Sequence, residues 1–103
     1  MMTLRVLQTA LNESERAVRW YEAQRPGLGA AFSIALEEAL TAIESEPARY
    51  PGMDNPPRSR NIHFYLLSQY PYIIHYEMRA DEILVLAISH TSRRPGYWLR
   101  RKT

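Results

Sequence analysis

Hydrophobic and polar positions in the first quarter of the chain predict one short strand followed by a helix. Residues 4–7 read Leu-Arg-Val-Leu, an apolar–polar alternation typical of a strand. The helix is expected to start near Thr9 or Asn12, since either residue can cap a helix and Asn12 with Glu15 resembles a capping box. Its inward face is narrow and made of small residues at helical spacing: Ala10, Ser14, Ala17 and Tyr21. Such a face predicts close approach to a neighbouring element.

A second helix is predicted after the break at Pro26-Gly27-Leu28-Gly29. Its apolar stripe has a spacing of three or four residues and consists of Leu28, Phe32, Leu36, Ala39, Leu40 and Ile43. Pro47 should end this helix, because the residue before a proline avoids helical geometry. The short connection between the two helices predicts an antiparallel helical hairpin.

The second half of the chain changes to a strand pattern. Residues 47–57 contain four prolines and one glycine, which predicts a loop. Strands are expected over 58–67, 72–79 and 83–88, and the last of these is apolar on both faces, as in a central strand. Within 72–79, the alternation points Tyr72, Ile74, Tyr76 and Met78 inward and His75, Glu77 and Arg79 outward. The order β-α-α-β-β-β predicts an α+β fold, an antiparallel sheet with an N-terminal helical hairpin packed on one face.

Composition narrows the possible classes of protein. With 103 residues the chain has room for one domain, expected over 1–103. The absence of cysteine excludes disulfides and thiolate metal sites, and the three histidines lack the spacing of a zinc site, so neither a metal nor a cofactor is expected. No apolar stretch reaches the ~18 residues of a membrane span, and no signal pattern begins the sequence. A cytoplasmic protein without membrane contact is the expectation.

Charge is distributed unevenly along the chain. Residues 1–56 carry five basic and eight acidic side chains, a net −3, whereas residues 57–103 carry eight basic and three acidic ones, a net +5. The C-terminal basic segment, Arg93–Lys102, holds five cations and no acid. We expect it to stay out of the core and to face an anionic partner. The predicted contact residues for a target or an inhibitor are Arg58, Arg60, Arg93, Arg94, Tyr97, Trp98, Arg100, Arg101 and Lys102.

Aromatic side chains modify this expectation. Leaving Trp98 bare would expose ~150–250 Å² of largely apolar surface, so its ring is expected to fold back onto the domain. Trp20, Phe32, Tyr72 and Tyr76 are expected in the core, and His63 and His75 are expected to point outward without a role.

Several short fragments, taken in order, resemble the RelE/ParE superfamily of toxins from type II toxin–antitoxin systems. The fragments are Trp20-Tyr21-Glu22; Pro26-Gly27-Leu28-Gly29 with Phe32; Ile43, Pro47, Tyr50 and Pro51; Tyr70-Pro71-Tyr72 with Ile74 and Tyr76; Ile83–Ile88; and His90, Arg93, Pro95 and Trp98. They span nearly the whole chain and are more similar to the ParE-like, plasmid-stabilisation branch than to the ribosome-dependent ribonucleases of the superfamily. Two departures are Tyr70, where the family usually has Phe, and the three cations beyond Trp98.

The resemblance implies a toxin neutralised by direct binding of a cognate antitoxin. In the ParE-like branch the implied activity is inhibition of DNA gyrase, which blocks replication without chemistry by the toxin itself. Operator DNA would be bound only through the antitoxin. The helical hairpin and the C-terminal basic segment would be the contact surfaces.

Two alternatives stay open, because this fold carries more than one function. The first is a ribosome-dependent mRNA endoribonuclease with Arg60, His90, Arg93 and Tyr97 as its catalytic set, in which the imidazole would move protons near neutral pH. The second is a nontoxic relative that binds antitoxin as a co-repressor. A structural role for His90 is also plausible on pattern alone, since it continues the parity of Leu84, Leu86 and Ile88 along the last strand.

Overall fold

The order of elements is β-α-α-β-β-β in an α+β fold, which confirms the sequence prediction. The computed structural model describes residues 2–103. Its elements are β1 (Thr3–Val6), α1 (Gln8–Gln24), α2 (Leu28–Ser45), a 3₁₀ turn (Pro57–Ser59), β2 (Ile62–Leu66), β3 (Tyr72–Met78) and β4 (Glu82–His90).

The four strands form one sheet in the order β1-β4-β3-β2, with the apolar strand β4 in an interior position. Strands β2, β3 and β4 pair antiparallel, as predicted, but β1 pairs parallel with β4 and makes the sheet mixed. A parallel neighbour requires a long crossover. The chain supplies one, because both helices and two strands lie between β1 and β4.

Helix α1 starts one turn before the predicted capping box. Leu7 occupies the N-cap position without any side-chain cap, so the expected caps Thr9 and Asn12 lie inside the helix. Leu7 is buried, and its backbone N–H donates to the carbonyl of Val85 at 3.1 Å. The start of the helix is therefore fixed by packing against β4, which outweighs the local capping preference.

The two helices approach closely at Gly29, which faces Val18 and Glu22 rather than the predicted small-residue face of α1. The carboxylate of Glu22 accepts hydrogen bonds from the backbone N–H groups of Gly27 and Gly29 at 3.0–3.1 Å. A Cβ at Gly29 would lie 2.9 Å from the carbonyl oxygen of Val18, a distance that side chains do not tolerate. Gly27 has φ +94°, a left-handed conformation that glycine adopts without strain.

The predicted strand 58–67 is shorter than expected. Arg58 and Ser59 have φ values of 49° and 59° in a 3₁₀ turn, and β2 begins only at Ile62. Pro56 and Pro57 lack backbone N–H groups and have fixed φ angles, so they disfavour an extended ladder at this point.

Strand β4 contains a bulge that breaks the predicted parity. His75 pairs with Ala87 and the next residue, Tyr76, pairs with Val85, which leaves Leu86 as an extra residue in β4. The assumed common face of Leu84, Leu86, Ile88 and His90 is therefore wrong. Because β4 has one extra residue at the bulge, the alternation of side chains between the two faces of the sheet is shifted by one from one side of the bulge to the other.

We predict that Gly29→Ala lowers the free energy of unfolding by about 1–3 kcal/mol, because the added methyl group collides with the backbone of α1. Urea unfolding followed by tryptophan fluorescence measures the change. Gly52→Ala is the matched control, since a Cβ there meets only the Ile62 carbonyl oxygen at 3.8 Å. Equal stability of the two variants would show that the helices can separate without cost.

Candidate interaction surface and its buried carboxylates

The C-terminal basic segment folds back over the face of the sheet opposite the helices. Trp98 is only 2% exposed, and its ring centroid lies 4.4 Å from that of His75 on β3. The folding back of Trp98 is confirmed. The expectation that the segment stays out of the core is wrong, because burial of this indole outweighs the solvation of its charged neighbours.

A buried carboxylate on α1 anchors this segment. Glu13, 6% exposed, accepts hydrogen bonds from the backbone N–H of Ile88 at 3.0 Å and from both terminal nitrogens of Arg101 at 2.9 and 3.0 Å. The hydroxyl of Tyr97 donates to its second oxygen. Arg101 also donates to the carbonyl of Leu86, the bulge residue, at 3.0 Å. This Glu13 cluster thus connects α1, β4 and the chain terminus.

Protonation in the Glu13 cluster is set by burial and hydrogen bonding. Desolvation is the largest influence on Glu13 and raises its pKa, but the donors Arg101, Tyr97 and Ile88 together bring the pKa below its ordinary value. The pKa of Tyr97 is raised, first by burial and then by its hydrogen bond to Glu13. At neutral pH the carboxylate is therefore charged and the phenol keeps its proton.

A second buried carboxylate holds the other side of the segment. Glu77 forms a two-point ion pair with Arg60, at 2.8 Å from Nε and 3.1 Å from Nη2, and also pairs with Arg79 at 3.1 Å. Arg60 donates in addition to the carbonyl of Leu99 at 3.1 Å, and Arg79 donates to the hydroxyl of Thr103 at 2.9 Å. The hydrogen bond from Arg60 is the main cause of the lowered pKa of Glu77.

These anchors divide the predicted contact residues into two groups. Arg60, Trp98 and Arg101 make intramolecular contacts, and Tyr97 is half-buried beneath Arg93, whose guanidinium carbon lies 4.1 Å from the ring centroid. The exposed members are Arg58, Arg93, Arg94, Arg100 and Lys102. Arg94 and Arg100 line the same cleft, together with Pro95, Gly96, Tyr97 and Leu99.

The four residues of the proposed ribonuclease set are only partly brought together. His90 and Arg93 line one groove, and Arg93 lies over Tyr97. However, Nδ1 of His90 accepts the backbone N–H of Ser92 at 3.0 Å, and the Tyr97 hydroxyl donates to Glu13. Arg60 directs its donors to Glu77 and Leu99 instead.

An aromatic groove beside His90 was not predicted from the sequence. We define the aromatic groove by its lining residues, which are Trp20, Tyr21, Pro71, Tyr72 and His90. Trp20 is 58% exposed, so its expected place in the core is wrong, whereas Phe32 and Tyr76 are fully buried as predicted. The available signal was its position next to Tyr21, one residue off the inward face of α1. Arg16 and Arg93 line an adjoining groove that shares Trp20, Tyr72 and His90.

The anchoring roles of Glu13 and Glu77, and the burial of His75, were not predicted from the sequence. Glu13 lies three residues after Ala10 and one before Ser14, on the inward face of α1, which was a usable signal. His75 and Glu77 point away from the helices as predicted, but Trp98 covers the first and Glu77 is buried with Arg60. The predicted direction of these two side chains is therefore right, but their expected exposure to solvent is wrong.

Comparison with known proteins identifies the family. The family model for the ParE toxin of the type II toxin–antitoxin system parDE matches residues 4–95. The chain belongs to the ParE toxin family. None of the curated protein sequences compared with this ParE-family chain matches it. The match to the family model ends at residue 95, so the anchors at Tyr97, Trp98 and Arg101 lie beyond the matched region.

A solved structure shares the fold of this ParE-family chain. It is described as the chromosomal ParDE toxin–antitoxin system from P. aeruginosa, with a TM-score of 0.74 and 16% sequence identity. The alignment covers 87% of this chain and 96% of that one. Over residues 2–103, the helices are too short or too polar to cross a bilayer.

We predict that Glu13→Gln lowers the free energy of unfolding by about 3 kcal/mol, since it leaves the Arg101 charge without its buried partner. Urea unfolding of the purified toxin measures the loss. Glu15→Gln, the same change at an exposed position on the same helix, should alter stability by less than about 0.5 kcal/mol. Similar values for both variants would contradict the anchoring role of Glu13.

Stability should also depend on His75 at mildly acidic pH. Its Nδ1 has no hydrogen-bond partner among residues 2–103, and burial lowers its pKa from 6.5 to about 4. Between these values the unfolded chain binds a proton that the folded chain does not, so stability falls as the pH drops through this window. From pH 7 to pH 5 we expect a loss of roughly 1–2 kcal/mol from this group.

The variant His75→Phe tests this pH dependence, because phenylalanine can still contact Trp98 but does not titrate. Unfolding free energies measured between pH 5 and 6.5 should become nearly flat in His75→Phe. The exposed His90→Gln is the control and should keep the wild-type slope. A wild-type slope in His75→Phe would assign the effect to another group.

Proposed function

We propose that this chain is a toxin that inhibits DNA gyrase, stalls its cleaved-DNA intermediate and so blocks replication, and that a cognate antitoxin neutralises it in the cytoplasm. Membership of the ParE toxin family supports the toxin role. The observation that favours a non-enzymatic mechanism is the Glu13 cluster. The cluster keeps Tyr97 protonated and holds Arg101 in an intramolecular ion pair. Glu77 likewise holds Arg60 in an intramolecular ion pair.

The mode of antitoxin binding follows from the apolar surface. The aromatic groove exposes Trp20, the kind of large aromatic side chain that dominates protein interfaces. Leu11 and Ile34 are further exposed apolar residues on the helical hairpin, at 41% and 58%. An amphipathic antitoxin helix would place apolar residues in the aromatic groove and acidic ones near Arg16 and Arg93.

A ribosome-dependent endoribonuclease is the second candidate, and one observation favours it. His90 and Arg93 line the same groove as the exposed Trp20, which offers an imidazole, a cation and a stacking platform to RNA. Neither Arg60 nor Tyr97 is free to complete the set in this structure.

Two parallel assays separate these candidates. Purified toxin should inhibit supercoiling by DNA gyrase and leave mRNA intact during translation in vitro. Because the proposed mechanism requires no proton transfer by an imidazole, His90→Ala should change supercoiling inhibition less than about threefold, as should the neighbouring control Thr91→Ala. Messenger cleavage that disappears in His90→Ala, together with normal supercoiling, would establish the endoribonuclease instead.

A further inference from the structure

The four outward cations of the C-terminal basic segment remain after the anchors have been assigned. They are Arg93, Arg94, Arg100 and Lys102, and all four are exposed. Every ion pair formed by residues 2–103 involves other arginines, so these side chains have no acidic partner within the described chain. Their positive charge is available to an external group.

The backbone beneath these cations is held in one conformation. Successive turns are closed by hydrogen bonds from Arg93 N to His90 O at 3.0 Å, from Leu99 N to Gly96 O at 3.0 Å and from Arg101 N to Trp98 O at 3.1 Å. Gly96 has φ +76°, which this turn requires. The buried anchors fix the other side of the same turns. Little backbone entropy would therefore be lost when a ligand binds.

The chemistry of the surface favours phosphate over protein. The apolar side chain of Trp98 points inward and Tyr97 is half-buried, which leaves cations around a cleft between Arg94 and Arg100. A stable protein interface needs an apolar centre, and on this molecule that is offered by the aromatic groove. Spaced arginines without such a centre suit the oxygens of a nucleic acid backbone.

We propose that Arg94 and Arg100, supported by Arg93 and Lys102, bind the phosphate backbone of duplex DNA without reading its sequence. The choice of duplex DNA as the phosphate source rests on the proposed function, because the DNA held by gyrase would lie beside the bound toxin. The toxin then contacts two components of its target through different surfaces. DNA contact through the C-terminal basic segment would add affinity for gyrase that is engaged on DNA over free gyrase.

The test is fluorescence anisotropy of a labelled 30-base-pair duplex of mixed sequence with purified toxin, over a range of salt concentrations. Arg94→Ala/Arg100→Ala should weaken DNA binding about tenfold at low salt. It should also reduce the slope of log affinity against log salt by about 2, since each phosphate contact contributes ~0.9. The control Arg19→Ala/Arg25→Ala removes the same charge from exposed positions of the α1 region and should leave both values near wild type.

Several outcomes would overturn the proposal. Failure of the wild-type toxin to bind the duplex at low salt is one, and equal weakening by the control pair is another. Binding of a polyglutamate peptide through Arg94 and Arg100, with no binding of DNA, would assign the surface to an acidic protein instead.

Supercoiling assays on the same variants keep this inference distinct from the proposed function. Inhibition of gyrase without any DNA binding by the toxin would refute the phosphate site and leave gyrase as the target. DNA binding that depends on Arg94 and Arg100, without inhibition of gyrase, would support the site and refute the proposed target.

Discussion

The fold depends on a charge that is buried and fully hydrogen-bonded. Burial of the Glu13 carboxylate alone would be costly. It accepts hydrogen bonds from Ile88, Arg101 and Tyr97, which all lie far from Glu13 in the sequence. The bond to Ile88 satisfies a backbone N–H of β4 beyond the point where β1 stops pairing, and Arg101 satisfies the Leu86 carbonyl at the bulge. The pair Glu13–Arg101 thus satisfies both of these backbone groups of β4.

This interaction determines what the C-terminal basic segment can do. A terminus with five cations would be expected to stay in solvent, yet Arg101 and Trp98 hold it against the sheet. Glu77 adds a second attachment through Arg60 and Arg79. The segment forms a layer on the face opposite the helical hairpin, and hydrogen-bonded turns hold the backbone that carries the remaining cations.

Sequence patterns predicted the parts of the fold that depend on local periodicity. The stripe of α2 and the two-sided apolar strand β4 were evident, because each is encoded within fewer than twenty residues. The predicted start of α1 was wrong because the contact of Leu7 with β4 sets it. Trp20 was wrongly assigned to the core, although it lies one residue off the inward face of α1. The partners Glu13 and Arg101 are 88 positions apart, so the inward position of Glu13 on α1 could not indicate which cation it pairs with.

The candidate site shows the same limit for charges. The sequence alone suggests that each arginine is a free cation, whereas Arg60 and Arg79 share the buried carboxylate of Glu77 and Arg101 pairs with that of Glu13. Charge counting therefore overstated the number of cations that are available to a partner. Once these arginines and the phenol of Tyr97 are assigned to structure, His90 and Arg93 are the exposed members of the proposed ribonuclease set, and the other exposed cations can bind an anionic group.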